Sequence, residues 1–214
     1  MSDQKSSRRY SSTLRTEQAA ATRARIVAAA AELFAQRGYA GTSMPEIARQ
    51  AGVSTETVQS HGPKAVLLRA AIDAFAFGAD RDADARGTAL GALMLSAESG
   101  AQAAAIAAEV LTQVNGATHG LWLAFSEAAR TDPEIADAFA QLAVGIRTQN
   151  VELMSEWTAR GFVRDDVDFD DLVDRSILVG SVELYDRAVR VGGMTIDDYR
   201  RQLAAMLEAL LVAP

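Results

Sequence analysis

Cysteine is absent from these 214 residues. Its absence removes disulfides and thiolate metal sites as means of stabilising the chain or doing chemistry. Histidine is nearly absent too: His61 and His119 are the only two. They lie far apart and in no HExxH arrangement, and no glycine-rich phosphate loop appears. Proline occurs four times and aromatics make up 6% of the chain. No apolar run reaches membrane-spanning length, and the N-terminus lacks a secretory apolar core. Asp165, Asp166, Asp168, Asp170 and Asp171 form an acidic run. It lacks the glycine and closing glutamate of an EF-hand loop, so it reads as a solvated turn and a helix start. These absences disfavour an enzyme and a metal or cofactor site, and they make the cytoplasm the expected location, without a membrane partner.

What is present favours helix. Hydrophobic residues make up 49% of the chain, alanine dominates, and no strand-like alternation stands out. The length suits one small domain and one larger one. The net charge of −7 is unevenly divided. Residues 1–70 hold ten Lys/Arg against five Asp/Glu, and residues 71–214 hold eleven against twenty-three. A basic end on an acidic body suits a molecule of which one end approaches phosphate.

The most informative stretch is Met44–Val58. It reads as a short helix, a tight turn at Gly52 and a second short helix, with Ile47, Ala48, Ala51, Val53 and Val58 where crossing helices must pack. Gly52 suits the positive φ of such a turn. The pattern describes a helix-turn-helix, whose second helix can enter the DNA major groove. Upstream, 22–39 is an amphipathic helix stopped by Gly38. Ser43 and Glu46 have capping-box spacing, and Pro45 is tolerated in the first turn. Downstream, a longer amphipathic segment starts at Pro63-Lys64.

The run from Arg25 to Ile72 resembles the DNA-binding domain of the TetR family of bacterial repressors. The residues that carry the resemblance are Phe34, Gly38-Tyr39, Thr42-Ser43, Ile47-Ala48, Ala51-Gly52-Val53-Ser54, Thr57-Val58, His61, Lys64 and Leu67-Leu68. It implies an all-α protein with an N-terminal three-helix helix-turn-helix domain and a larger C-terminal helical domain for ligand binding and dimerisation. The expected boundaries are a flexible basic arm at 1–16, the reader at 17–66 and the larger domain at 67–214. The family usually carries aromatics where Gln59 and Gly62 stand, and one more residue before the position of Lys64. The first departure removes a usual phosphate or base contact. The second is expected to weaken packing behind the recognition helix and alter its exit.

Candidate DNA contacts follow. Ser54 is an expected N-cap and Val58 points inward, which leaves Thr55, Glu56, Thr57, Gln59, Ser60 and His61 as outward candidates. Gln59 can pair with adenine, and Glu56 can accept from cytosine or repel phosphate. Thr42 and Ser43 join the set, and the resemblance maps His61 and Lys64 to phosphate contacts. Lys5, Arg8, Arg9 and Arg15 can extend the contact if the arm meets the duplex.

Beyond the reader, helices are expected near 64–78, 83–96, 101–115, 118–131, 133–160, 170–191 and 196–211. Phe75, Leu121, Trp122, Phe125, Met154 and Trp157 are the candidate ligand contacts, with Asn115, His119, Gln149 and Asn150 as polar groups that can orient a ligand. Stripes at helical spacing are equally the mark of core. Leu172, Ile177, Leu178, Val182, Leu184, Tyr185, Met206, Leu207, Leu210 and Leu211 are assigned, partly through the resemblance, to a homodimer interface. The expected function is a transcriptional repressor that binds a near-palindromic double-stranded operator as a dimer and is released by a small hydrophobic or amphipathic inducer. The alternative is a helical ligand- or protein-binding module that has lost specific DNA binding, as Gln59 and Gly62 suggest.

Overall fold

A computed structural model describes residues 3–77 and 89–212, with the side chains of 3–15, 17 and 75–77 outside the described set. Every regular element among these residues is helical. The order is α1 (Asp3–Arg37), α2 (Met44–Ala51), α3 (Thr55–Ser60), α4 (Lys64–Phe77), α5 (Ala89–Leu95), α6 (Gly100–Ala129), α7 (Pro133–Ala159), α8 (Phe169–Val179), α9 (Val182–Tyr185) and α10 (Ile196–Leu211). A π-helical stretch, Asp186–Val191, continues α9.

Side-chain caps start many of these helices. The Ser54 hydroxyl accepts from the Thr57 amide at 3.1 Å, and Asp132 accepts from Glu134 and Ile135. Ser99, Asp168, Ser181 and Thr195 cap in the same way. Each satisfies amides that the first turn leaves unbonded. The acidic run is thereby explained: Asp168 caps α8, while Asp170 and Asp174 pair with Arg147 of α7. Among the described residues no cluster of acidic or histidine side chains has the arrangement of a metal site.

Two buried clusters hold the molecule together. The first joins Ile26 and Phe34 of α1 with Ile47, Val58, Leu67 and Leu68, and continues into Leu121 and Phe125 of α6 and Leu142 of α7. The second joins α6, α7, α8 and α10 through Trp157, Leu172, Tyr199 and Leu203. The first cluster runs across the expected boundary at 66/67, so the reader is packed onto the larger domain rather than tethered to it.

The structure departs from the sequence reading in four places. The stretch expected to be a disordered arm is the beginning of α1, which reaches back to Asp3. No glycine or proline interrupts the chain between them, so nothing in the sequence stops the helix. The segments 101–115 and 118–131 are one 30-residue helix. Two of its glycines are points of close approach: a Cβ on Gly120 would lie 2.6 Å from the Ala35 carbonyl oxygen of α1, and one on Gly116 3.2 Å from the Tyr185 hydroxyl. The segment 170–191 is broken at Gly180-Ser181, where Ser181 caps a new helix. Of the helix expected over 83–96, positions 83–88 lie outside the described residues and the remainder forms α5. Finally, Leu172, Tyr185, Leu207 and Leu211, assigned to a dimer face, are buried in the second cluster of the same chain. Both faces of helical stripes this apolar look alike in sequence, and only packing separates them.

Candidate functional site

The reader is built from α2 and α3 crossing at Gly52, whose φ of +66° lets its amide bond back to Ala48 and Arg49. Ile47, Ala48, Ala51 and Val58 are buried at the crossing. Glu46 accepts from the Ser43 amide at 3.0 Å and the Ser43 hydroxyl at 2.7 Å. It also pairs with Arg37 of α1 at 2.6 Å, tying α2 to its neighbour. These hydrogen bonds and the nearby arginines hold its carboxyl below the usual glutamate range.

The candidate DNA contacts divide into three groups. Ser54, Thr57 and Ser60 are spent on the helix itself: Ser54 bonds the Thr57 amide and hydroxyl, and the Ser60 hydroxyl donates to the Thr57 carbonyl at 2.7 Å. Glu56 and Gln59 are exposed, and Thr55 and His61 are half-buried beside them. Hydrogen bonds from its own amide and from Ser54 lower the Glu56 carboxyl, so it is charged at neutral pH. Thr42 and Lys64 turn inward. Thr42 is 2% exposed and its hydroxyl donates to the Gly38 carbonyl. The Lys64 ammonium donates to the carbonyls of Tyr39 (2.8 Å) and Thr42 (3.0 Å) and sits 4.1 Å from the centre of the Tyr39 ring. Its half-buried charge is pushed below the ordinary lysine range by desolvation. An internal partner thus occupies the amine for which the resemblance implied a phosphate.

Gly62 has its own explanation. Its φ is +117°, and a Cβ there would lie 3.0 Å from Val66 Cγ1. Any larger residue at this tight α3–α4 turn meets both backbone strain and collision. Sequence reading passed over Arg23, Arg25 and Arg49, which are exposed cations of the reader without an ion pair among the described residues. Their signal was simple: basic residues at polar positions of helices whose opposite faces are apolar.

The larger domain forms a partly open cavity of about 470 Å³, within the size range of small-molecule sites. Leu121, Trp122, Met154 and Trp157 line it, as do Asn115, Gln149 and Asn150. Phe125 lies instead against a smaller cleft with Arg69, Ile72 and Gln141. The Phe75 side chain is outside the described residues. His119 is absent from the wall; its Nδ1 lies 3.0 Å from the Gly116 carbonyl oxygen. Missed were the aliphatic walls Val110, Val114, Ile146 and Leu153. Leu153 and Ile146 stand 4 and 11 residues before Trp157, and Val114 and Val110 stand 8 and 12 before Trp122. These are whole numbers of helical turns to within about a third of a turn, which placed them on the same helix faces.

Residues 26–61 match the family model of bacterial regulatory proteins of the tetR family. The reader is a TetR-family domain. Solved structures extend the likeness to nearly the whole chain. A protein from Mesorhizobium loti MAFF303099, assigned to the TetR family, is 19% identical, with a TM-score of 0.69 over 90% of this chain and 96% of that one. A transcriptional regulator from Saccharomonospora viridis, solved in complex with choline, is 20% identical, with a TM-score of 0.72 over 91% and 100%. A TetR transcription regulator from Haloarcula marismortui ATCC 43049 is 16% identical, with a TM-score of 0.67 over 91% and 100%. At such identities the likeness establishes the fold: a TetR-like reader carried on a TetR-like helical body. No curated protein matches the chain by sequence.

Proposed function

We propose that this protein is a ligand-responsive, dimeric TetR-like repressor. The observation that carries the reading is the placement of α4. Its first residue, Lys64, is bonded to the reader loop at Tyr39 and Thr42, and two turns later Ile72 lines the cavity. One short helix therefore touches both the DNA reader and the ligand space. A ligand that displaces Ile72 moves the base of the reader with it. A coupling of roughly 1–3 kcal/mol between the two sites lowers operator affinity about 5- to 150-fold.

Reading a near-palindromic operator requires two such readers about 34–36 Å apart. Leu178, Val191 and Ile196 are 70%, 78% and 54% exposed in the single chain, and apolar surface of this kind supports a partner copy. On the reader, Gln59 and Glu56 supply base discrimination, and Arg23, Arg25 and Arg49 supply phosphate contacts.

Selection from random double-stranded DNA tests the proposal. The intact protein should enrich an inverted repeat, and Gln59→Ala should alter the enriched bases while leaving fold stability within about 0.5 kcal/mol. Affinity should fall steeply with salt, at a log–log slope near −5 for about six phosphate contacts. A folded protein that enriches no sequence at any salt would instead be a ligand- or partner-binding module on the same fold.

A further inference from the structure

The cavity is electrically one-sided. Among the described residues its only ionisable wall groups are Glu152 on α7 and Glu183 on α9, and no lysine, arginine or histidine lines it. Glu152 is half-buried and makes no ion pair or hydrogen bond among the described residues. The Glu183 carboxylate accepts from the Trp122 indole nitrogen at 2.7 Å, a neutral donor that leaves its charge in place. The rest of the wall is apolar, with Asn115, Gln149 and Asn150 as neutral polar groups.

Two indoles share this wall and are held in position. Trp122 is fixed by Glu183 and by Phe139, whose ring centre is 5.0 Å away. Trp157 is 2% exposed, and its nitrogen donates to the Met94 carbonyl at 3.2 Å. Both indole nitrogens are thus already bonded; Trp157 is covered, and half-buried Trp122 is the indole with a ring face to offer a ligand. An anion entering here meets two carboxylates and, among the described residues, no counter-charge. A neutral apolar ligand takes water from both carboxylates and returns no partner. A cation gains Coulombic attraction to the carboxylates and, over an indole face, cation–π attraction as well.

We propose that the cavity selects an organic cation with an apolar body, its charge set by Glu183 and Glu152 and its body held by Trp122 and the aliphatic wall of Val114, Ile146 and Leu153. This rests on the reading of the cavity as the effector site, but it is tested without DNA.

Decyltrimethylammonium, decanol and decanoate share one apolar chain and differ in charge. Calorimetric titration of the full-length protein with each, at equal ionic strength, reads the preference directly. The expected order is cation, alcohol, carboxylate. The cation should bind about tenfold tighter than the alcohol, the size of one cation–π contact together with one solvent-screened ion pair. Glu152→Gln with Glu183→Gln should bring the cation to the alcohol's affinity while leaving decanol binding unchanged, which reports an intact cavity. If the double variant also loses decanol, the single variants take its place, and each should lower the preference partway.

Equal affinity for all three, tightest binding of decanoate, binding of none, or a preference that survives both substitutions would overturn the proposal. The regulator reading fails separately. A protein that prefers the cation yet captures no operator keeps this inference and loses that one, and operator capture without a charge preference does the reverse.

Discussion

The two buried clusters are built from similar residues and put to opposite uses. Around the reader, Ile26, Phe34, Ile47, Val58 and Leu68 are all fully buried, and short helices are locked by caps and by the Lys64 and Glu46 bridges. Around the cavity, long helices built largely of small and aliphatic residues leave about 470 Å³ between them. A closed core has one low-energy arrangement, whereas a core with internal space can repack when that space is filled. The contrast is what a ligand-controlled reader requires: a rigid shape presented to DNA and an adaptable body that repositions it. The seam between them is the close approach of α1 to α6 at Gly120 and the helix α4.

The comparison breaks most visibly at its closed end. Phe34 is 0% exposed in the cluster shared by the reader and the larger domain. Phe34→Ala should cost about 3–5 kcal/mol. Because the cluster continues into Leu121 and Phe125, denaturant melts followed at the reader and at Trp122 should move together. Leu153→Ala, at the wall of an existing cavity, should cost much less. Two separate transitions, or equal costs, would mean the halves are neither joined nor differently packed.

The seam should respond next. A side chain at Gly120 collides with backbone rather than with a flexible side-chain end, so α1 and α6 must move apart. Gly120→Val is expected to cost about 1–3 kcal/mol. It should also change operator affinity without touching any DNA contact, read as a shift in half-site spacing preference during DNA selection. A stability loss with unchanged DNA selection would remove the seam from the coupling route.

Lys64 tests whether the reader's rigidity depends on its internal bridge. Replacing it by Met keeps the stem and removes two charge-assisted hydrogen bonds and the contact with the Tyr39 ring. The expected loss is about 1–2 kcal/mol. Faster amide exchange should appear at residues 39–43 and at the start of α4. A lysine that served only phosphate would leave free-protein stability unchanged and reduce the salt slope instead.

How much of this was legible in the sequence follows the same division. In the reader, single residues carry decisive constraints: Gly52 must turn, Ser54 must cap and Val58 must be covered, and all three are seen. Local geometry decides such positions, so reading them needs no knowledge of what packs nearby. In the body, the single helix Gly100–Ala129 reads as two segments, 101–115 and 118–131, because the sequence does not show that α1 and Tyr185 press against Gly120 and Gly116. Leu172 and Leu207 looked like interface because burial within one chain and burial between two leave the same apolar stripe. Thr42 and Lys64 show a related limit: their internal partners could not be read from the sequence. A hydroxyl and an amine are equally suited to phosphate and to a backbone carbonyl, and in the free chain both hold carbonyls.

The smallest effect is a change in the shape of a pH curve, and it tests the reader by chemistry rather than by packing. Glu46 has its carboxyl lowered by the Ser43 hydroxyl and amide and by nearby arginines. In the unfolded chain it titrates near about 4.3. Above that value both states are ionised and the full contribution of the cap is present. As pH falls below it, the unfolded state takes up a proton first, and the contribution fades until the folded carboxyl is protonated as well. Glu46→Gln should therefore lower the urea midpoint at neutral pH and flatten its decline on the acid side. Parallel acid limbs for the wild type and Glu46→Gln would show that the ionised cap contributes nothing to the reader's rigidity, and that packing at the α2–α3 crossing suffices.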